Sequence, residues 1–224
     1  MSITLLNAWK QVCGESGFDV PTDVATSNPQ MLYIATASIR RLRPHQWQKL
    51  VKQGSITLTT ATEYTLASDF WSYVPGTLWP EASGRPADLP VTTTDWAMLQ
   101  AGIGFSSIAF NCRIYNDKLQ VQNPEAGYVL NYEYISKNAL TNAGGTAQET
   151  FTADTDLCIL DEELFIQDLK WRFKKEKGID DWQVDAAELD RYLKYRKDVD
   201  AGSQTLRPSS GTVFPAPYTD LWVQ

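Results

Sequence analysis

Residues 151–182 read FTADTDLCILDEELFIQDLKWRFKKEKGIDDW, and the order of residue types in this run specifies a capped amphipathic helix. Thr155 or Asp156 is placed to cap its start, and Asp161, Glu162 and Glu163 follow near the positive end of the helix dipole. Leu160, Leu164, Ile166, Leu169, Trp171 and Phe173 form a wide apolar face. Lys170, Lys174, Lys175 and Lys177 gather toward the negative end, and Gly178 can adopt the left-handed stop. The run carries no reaction centre. It reads as a docking helix with opposite charges at its two ends. A second helix follows from Val184 to about Val199, with Ala187, Leu189, Tyr192, Leu193 and Tyr195 at helical spacing.

Upstream, Ile3, Leu5, Leu6, Trp9, Val12 and Cys13 recur at helical spacing, with Gly14 and Gly17 as candidate stops. Ser27-Asn28-Pro29 reads as the start of the next helix, carried by Met31, Leu32, Ile34, Ala35, Ala37, Ile39 and Leu42. Pro44 should bend or restart it, with continuation from His45 to Lys52. After Gly54 the period changes to two. Ser55–Thr59 reads as a strand and Tyr64–Leu66 as its partner. Residues 68–90, rich in Pro and Gly, read as a long irregular loop. A short helix through Trp96, Met98 and Leu99 is capped by Thr94-Asp95. Ser107–Ile114, Lys118–Val121 and Tyr128–Ile135 read as an antiparallel meander, with turns at Asn116-Asp117 and Pro124–Gly127.

The resulting expectation is an α+β fold. A four-helix body is built from an N-terminal helical hairpin (1–53) and a C-terminal helix pair (151–201). A small antiparallel β subdomain (54–150) is inserted between them, and an extended tail (202–224) follows. Pro208, Pro215 and Pro217 bar regular structure in that tail, while Val213, Phe214, Tyr218, Leu221, Trp222 and Val223 make it too apolar to be idle, so they read as binding anchors.

Composition narrows function further. The 224-residue chain has a net charge of −7 and no basic stripe of the kind that grips duplex DNA. Its basic residues cluster at Arg40, Arg41 and Arg43 and at Lys170–Lys177. Each cluster is either a solvated helix face or a face toward an acidic neighbour such as the next copy of the chain. The three cysteines, Cys13, Cys112 and Cys158, are far apart and sit in apolar surroundings, which reads as buried thiols of a reducing compartment. No zinc spacing, membrane-length apolar run or signal peptide is visible, so the expectation is a soluble product of a cytoplasm with no cofactor. Eight tryptophans fill cores and interfaces or, alternatively, line a glycan groove. Neither a GxSxG nor a phosphate-binding loop is present, and His45, the single histidine, has no partner motif. The carboxylate pairs Asp154/Asp156, Glu162/Glu163 and Asp180/Asp181 read as caps and dipole partners before they read as a calcium or glycosidase site.

The run at 151–182 also resembles a segment of tailed-phage head–tail adaptor (connector or neck) proteins, most like those of short-tailed phages. Further stretches match the same family in order and spacing: LLNAWKQVCGESGF (5–18), SNPQMLYIATASIRRL (27–42), WQKLVKQGSITLTTATEYTL (47–66), TLWPEASGRP (77–86), LPVTTTDWAML (89–99) and LNYEYISKNAL (130–140). The resemblance extends from about Leu5 to about Tyr195. It implies a non-enzymatic structural protein of the virion, forming a homo-oligomeric, dodecameric ring beneath the portal, joining capsid to tail and lining the DNA channel. The implied partners are the portal protein, copies of itself, and the tail nozzle or other tail proteins, with DNA passing through unbound and no membrane contact. Arg40, Arg41, Arg43, Lys170, Lys174, Lys175, Asp161, Glu162 and Glu163 are the expected charged subunit interface, and the tail anchors the portal or subunit contact. The enzyme-class alternative is a phage cell-wall glycan hydrolase or a glycan-binding module, which calls for exposed tryptophans and two facing carboxylates.

Overall fold

A computed structural model describes residues 2–45, 47–81, 87–89, 92–102 and 110–200. The fold is α+β, with five helices among the described residues and mainly antiparallel sheets. The chain enters through a short strand, β1 (Ile3–Thr4), so the first helix starts later than its periodicity suggests. That helix, α1 (Leu5–Ser16), is capped by Thr4, whose hydroxyl accepts from the Asn7 amide at 3.3 Å, and is stopped by Gly17 at φ 73°. Leu5, Ala8, Trp9, Val12 and Cys13 are its buried face.

Helix α2 (Pro29–Leu42) begins with proline in its first turn, where the missing amide costs nothing. The expected continuation past Pro44 does not occur. Pro44 has no amide for the Arg40 carbonyl, and the chain turns there instead. Trp47 is buried, its indole donating to the Leu42 carbonyl at 2.8 Å, and a single 3₁₀ turn (Gln48–Leu50) leads straight into strand β2 (Val51–Thr57).

Three sheets follow. In one, β2 pairs antiparallel with β9 (Val129–Ser136) in an unbroken register from Val51↔Ile135 to Thr57↔Val129. On the other side of β9 lie β4 (Phe70–Tyr73) and β5 (Trp79–Pro80). In a second, β3 (Glu63–Thr65) pairs with β8 (Lys118–Val121), β8 with β7 (Phe110–Tyr115), and β7 in parallel with β6 (Ala87–Asp88). The expected pairing of 55–59 with 64–66 and the expected three-strand meander are therefore both replaced. β3 joins β8, and β9 leaves the β7–β8 hairpin for the longer β2. Periodicity marks a strand but not its partner, and the eight-residue β9 matches the seven-residue β2 better than the four-residue β8. The stretch expected as irregular loop holds β4, β5 and β6. Pro80 is tolerated because β5 pairs, among the described residues, with β9 alone. The β7–β8 turn is as expected: Asn116 and Asp117 both have positive φ, 51° and 58°, as a two-residue hairpin turn demands. Gly54 faces Tyr132 across the β2–β9 ladder with no room to spare, since a Cβ there would lie 2.5 Å from the Tyr132 ring.

Helix α3 (Thr93–Gln100) is capped by Thr92 rather than Thr94-Asp95. The Thr92 hydroxyl accepts from the Asp95 amide and donates to the Asp95 carboxylate, a reciprocal cap. Residues 107–109 of the strand expected at 107–114 lie outside the described residues. The third sheet is small and runs β1–β12–β10–β11, with β10 at Leu140–Thr141, β11 at Ala147–Gln148 and β12 at Leu157–Cys158.

The helix expected from Leu157 begins five residues later. Helix α4 (Glu162–Glu176) is capped by Asp161, whose carboxylate accepts the Leu164 amide at 3.1 Å. Asp156 instead accepts from the Thr152 and Ala153 amides and ties down the loop before β12. Gly178, at φ 71°, ends the turn after α4 as expected. Helix α5 (Trp182–Asp200) returns antiparallel to α4, since Lys174 pairs with Asp181 near one end and Arg196 with Asp161 near the other.

Two apolar cores result. The first contains Trp9, Ile39, Leu42, Leu50, Phe165 and Leu169 and draws on α1, α2, α4, α5 and the third sheet. Trp9 and Phe18 each meet Phe173 edge-to-face, at 5.4 and 5.2 Å. Ile135, Ala139 and Leu140 also belong to it, so this core claims residues short of the expected boundary at 150. The second core contains Ile56, Leu58, Phe110, Leu119, Val121, Leu130, Tyr132 and Tyr134.

Candidate functional site

The helical face where α2, α4 and α5 meet is built around Asp168. The α4 stripe 164, 165, 168, 169, 173 has helical spacing, so position 168 points inward with the leucines and is fully buried. A buried carboxylate needs partners. Asp168 accepts from the Arg41 guanidinium at 2.7 Å, the Trp171 indole at 2.8 Å and Arg172 at 2.8 Å. Arg41 also reaches Asp190 on α5 at 2.7 Å, so one side chain joins three helices. Both guanidiniums lie over the Trp171 ring, at 5.4 and 4.8 Å. Trp171 is half-buried and packs beside Trp182, 6.1 Å away between centroids. Asp168 is the residue that sequence reading passed over. The signal for it was an acid inside an apolar stripe.

Most of the charges expected at a subunit interface close within the chain. Arg43 pairs with Glu149 at 2.8 Å and lies over Trp71. Lys170 reaches Glu15 on α1 at 3.0 Å. Lys174 is buried and lies 2.8 and 2.7 Å from Asp181 and Asp185; burial alone would lower its pKa, but the two carboxylates outweigh that and raise it. Asp161 caps α4 and binds Arg196 at 2.7 Å. Glu163 accepts from Gln167. Arg40 and Lys175 are exposed and Glu162 is half-exposed, and among the described residues these three make no ion pair with a carboxylate or a cation of the chain. The tail anchors Val213, Phe214, Tyr218, Leu221, Trp222 and Val223 lie outside the described residues.

Chemistry-bearing groups are otherwise committed to structure. Asp154 accepts from the Val24 and Ala25 amides, pinning the loop between α1 and α2. His45 stacks edge-on to Trp47, and its pKa is lowered by burial and by the nearby Lys197 and Arg41 charges. All three cysteines are buried. Burial pushes the Cys158 thiol up to about 12 and raises that of Cys13, so neither is a ready nucleophile. Among the described residues no cluster of His, Cys, Asp and Glu is placed to hold a metal, and no helix is long and apolar enough to cross a membrane.

A second feature lies on the outer face of the β2–β9–β5 sheet. A polar cleft of about 550 Å³ is lined by Gln53, Ser55, Thr77, Asn131 and Glu133 beside Trp79, which is 64 % exposed. It supplies an exposed indole ring and one carboxylate among its lining residues. A comparison with protein-family models and another with characterised proteins each found nothing that matches this chain.

Proposed function

We propose that this chain is a structural head-to-tail adaptor of a tailed bacteriophage. Copies assemble as a ring beneath the portal in the virion, join capsid to tail and line the DNA channel. The observation that carries this reading is the ordered resemblance from Leu5 to Tyr195, in which several separate stretches recur in sequence order. In this reading α1 with α2 and α4 with α5 form a four-helix body. The β-rich segment is an inserted subdomain, and residues 202–224 reach the portal or a neighbouring subunit.

The internal ion pairs refine the proposed interface. Charges already paired within the chain contribute little to a neighbour, so Arg40, Glu162, Glu163 and Lys175 carry the register between copies. The ring takes no cofactor, has no catalytic role and makes no membrane contact. Its wall is acidic or neutral, consistent with the net charge of −7, so that DNA slides without being gripped. The test is reconstitution with purified portal rings. Negative-stain images should show a second ring seated below the portal, and deletion after Gly202 should weaken that loading at least tenfold. A monomer that ignores portal and clears peptidoglycan overturns the reading.

The Trp79 cleft favours one second reading, a glycan-binding module. An exposed indole between amides and hydroxyls is a surface on which a neutral sugar ring stacks and hydrogen-bonds. The hydrolase form of this reading lacks a second carboxylate among the cleft's lining residues, and both glycosidase mechanisms use two. Titration with soluble peptidoglycan fragments, read by tryptophan fluorescence, separates this from the adaptor reading. A Trp79-dependent saturable shift supports it, and a flat titration removes it.

A further inference from the structure

Between α2 and α4 runs a small groove of about 180 Å³, lined by Tyr33, Ile34, Ala37, Trp171 and Lys175, with Arg172 and Glu176 at its edge. Its lining combines apolar surface with three charged side chains, two basic and one acidic. Tyr33, on its wall, is 69 % exposed, the most exposed large hydrophobic side chain among the described residues. Lys175 is exposed, sits 5.9 Å from the Trp171 ring and 5.0 Å from the Trp182 ring, and among the described residues has no carboxylate partner. Arg40, three residues after Ala37 on the same side of α2, is also exposed.

We infer that this groove receives residues 219–223 of the chain itself, Thr219-Asp220-Leu221-Trp222-Val223; this rests on the tail being a binding segment, as proposed above. Three considerations single out this occupant. The first is chemistry: Leu221 and Trp222 supply adjacent apolar side chains for a groove of side-chain size, with an acid, Asp220, immediately before them. The second is charge. The lining offers Lys175, which has no carboxylate partner among the described residues, beside Glu176, and Arg40 is exposed further along α2, so an acid that enters on the Lys175 side meets a cation. The third is reach. The described chain ends at Asp200, and the groove lies near the opposite end of α5, beside Trp182, about 27 Å back at 1.5 Å per residue. Residues 201–219 span up to about 60 Å when extended, which covers that return within one subunit and equally the gap to a neighbouring copy. A Trp anchor in such a groove brings large contact area at small entropic cost, because it has only two side-chain torsions to fix.

The experiment uses the full chain without portal. Ala37→Cys is combined with Leu221→Cys, and disulfide formation under mild oxidation is compared with a control pair in which Ala187→Cys, on the exposed side of α5, replaces the groove position. The native thiols are buried and remain in both proteins. Melting curves check that each variant is folded. The groove pair should crosslink at least fivefold faster than the control, as a monomer of altered mobility if the tail docks on its own subunit or as a dimer if it docks on a neighbour. Lys175→Glu should slow that crosslink about two- to fivefold, the range an exposed ion pair contributes, and adding Asp220→Lys should restore it. Equal rates for groove and control pairs overturn the assignment, as does a charge swap that changes nothing. Loss of portal loading on tail deletion is a separate readout, so failure of the groove and failure of the tail's adaptor role are told apart.

Discussion

The two cores of this molecule are held together by different chemistry. The helical core closes around charge: Asp168 collects Arg41, Arg172 and the Trp171 indole, and Lys174 is buried between Asp181 and Asp185. The β core closes around rings and register: Tyr132 and Tyr134 sit 5.8 Å apart, Phe110 meets Tyr128, and Gly54 yields its side-chain space to Tyr132. The difference decides what each region has left for partners. Where the helices meet, their charges are spent on one another, and their outer faces keep exposed ions such as Arg40, Lys175, Arg191 and Lys194 beside the rings of Tyr33 and Tyr195. The β unit keeps its large side chains partly outside, with Trp79 and Tyr115 both well exposed.

The sharpest way to test the charge-centred core is Asp168→Ala. It strands the Arg172 guanidinium and the Trp171 indole, leaves Arg41 with Asp190 alone, and should cost about 3–5 kcal/mol in denaturant unfolding, enough to lower expression of folded protein. A loss below 1 kcal/mol would mean that the hub is ornamental and that apolar packing alone holds α2 to α4. The ring-centred core is tested by Gly54→Ala. The added methyl meets the Tyr132 ring and should cost about 1–3 kcal/mol. If calorimetry then shows two separate transitions, the cores are independent units; a single shifted transition makes them one cooperative body.

The β unit also contains one charge-centred exception that sharpens the contrast. Asp69 accepts from Lys52, the Tyr134 hydroxyl and the Ser136 hydroxyl. Burial works to raise its pKa, yet these donors together outweigh it and hold the carboxyl at about 2, below an ordinary value of 3.8. A depressed folded-state pKa adds stability that is present above 3.8 and disappears as pH falls through about 2. A stability–pH profile should therefore lose about 1 kcal/mol over that window from this group, and Asp69→Asn should remove that part of the slope. The smallest expected effect is at Lys170, whose pair with Glu15 is partly exposed. Lys170→Ala should change stability by about 0.5 kcal/mol, and a loss several times larger would place a bond of real strength where the comparison assigns a weak one.

Much of the helical region was legible in the sequence, because caps, stops and helical spacing are local. Gly17 and Gly178 end their turns as read, and the Asn116-Asp117 turn follows from residue type alone. The misreadings have two causes, local competition for a capping side chain and distance along the chain. Asp161 rather than Asp156 caps α4 because Asp156 is taken by the Thr152 and Ala153 amides and Leu157–Cys158 by a strand that pairs with residues 3 and 4. β9 pairs with β2 across more than seventy residues, a choice no alternating pattern contains. At the candidate site, the charged residues stand out in the sequence as clusters, but the partners of Arg41 and Lys170 lie on other helices. An ion pair such as Arg41 with Asp168 becomes visible only when α2 and α4 are side by side.

The paired strands β2 and β9 also have a mechanical meaning. β2 leaves the helical core directly after Leu50, and β9 re-enters it at Ile135, opposite Val51 in the ladder. Both therefore run outward from the same anchor line into the β unit. A pull that separates the two units is carried lengthwise by two covalent backbones side by side, and the hydrogen bonds between them bear almost none of it. Bending or twisting, by contrast, loads those bonds directly. The junction is thus a strap, in which covalent backbone resists stretch and the ladder's hydrogen bonds resist torsion.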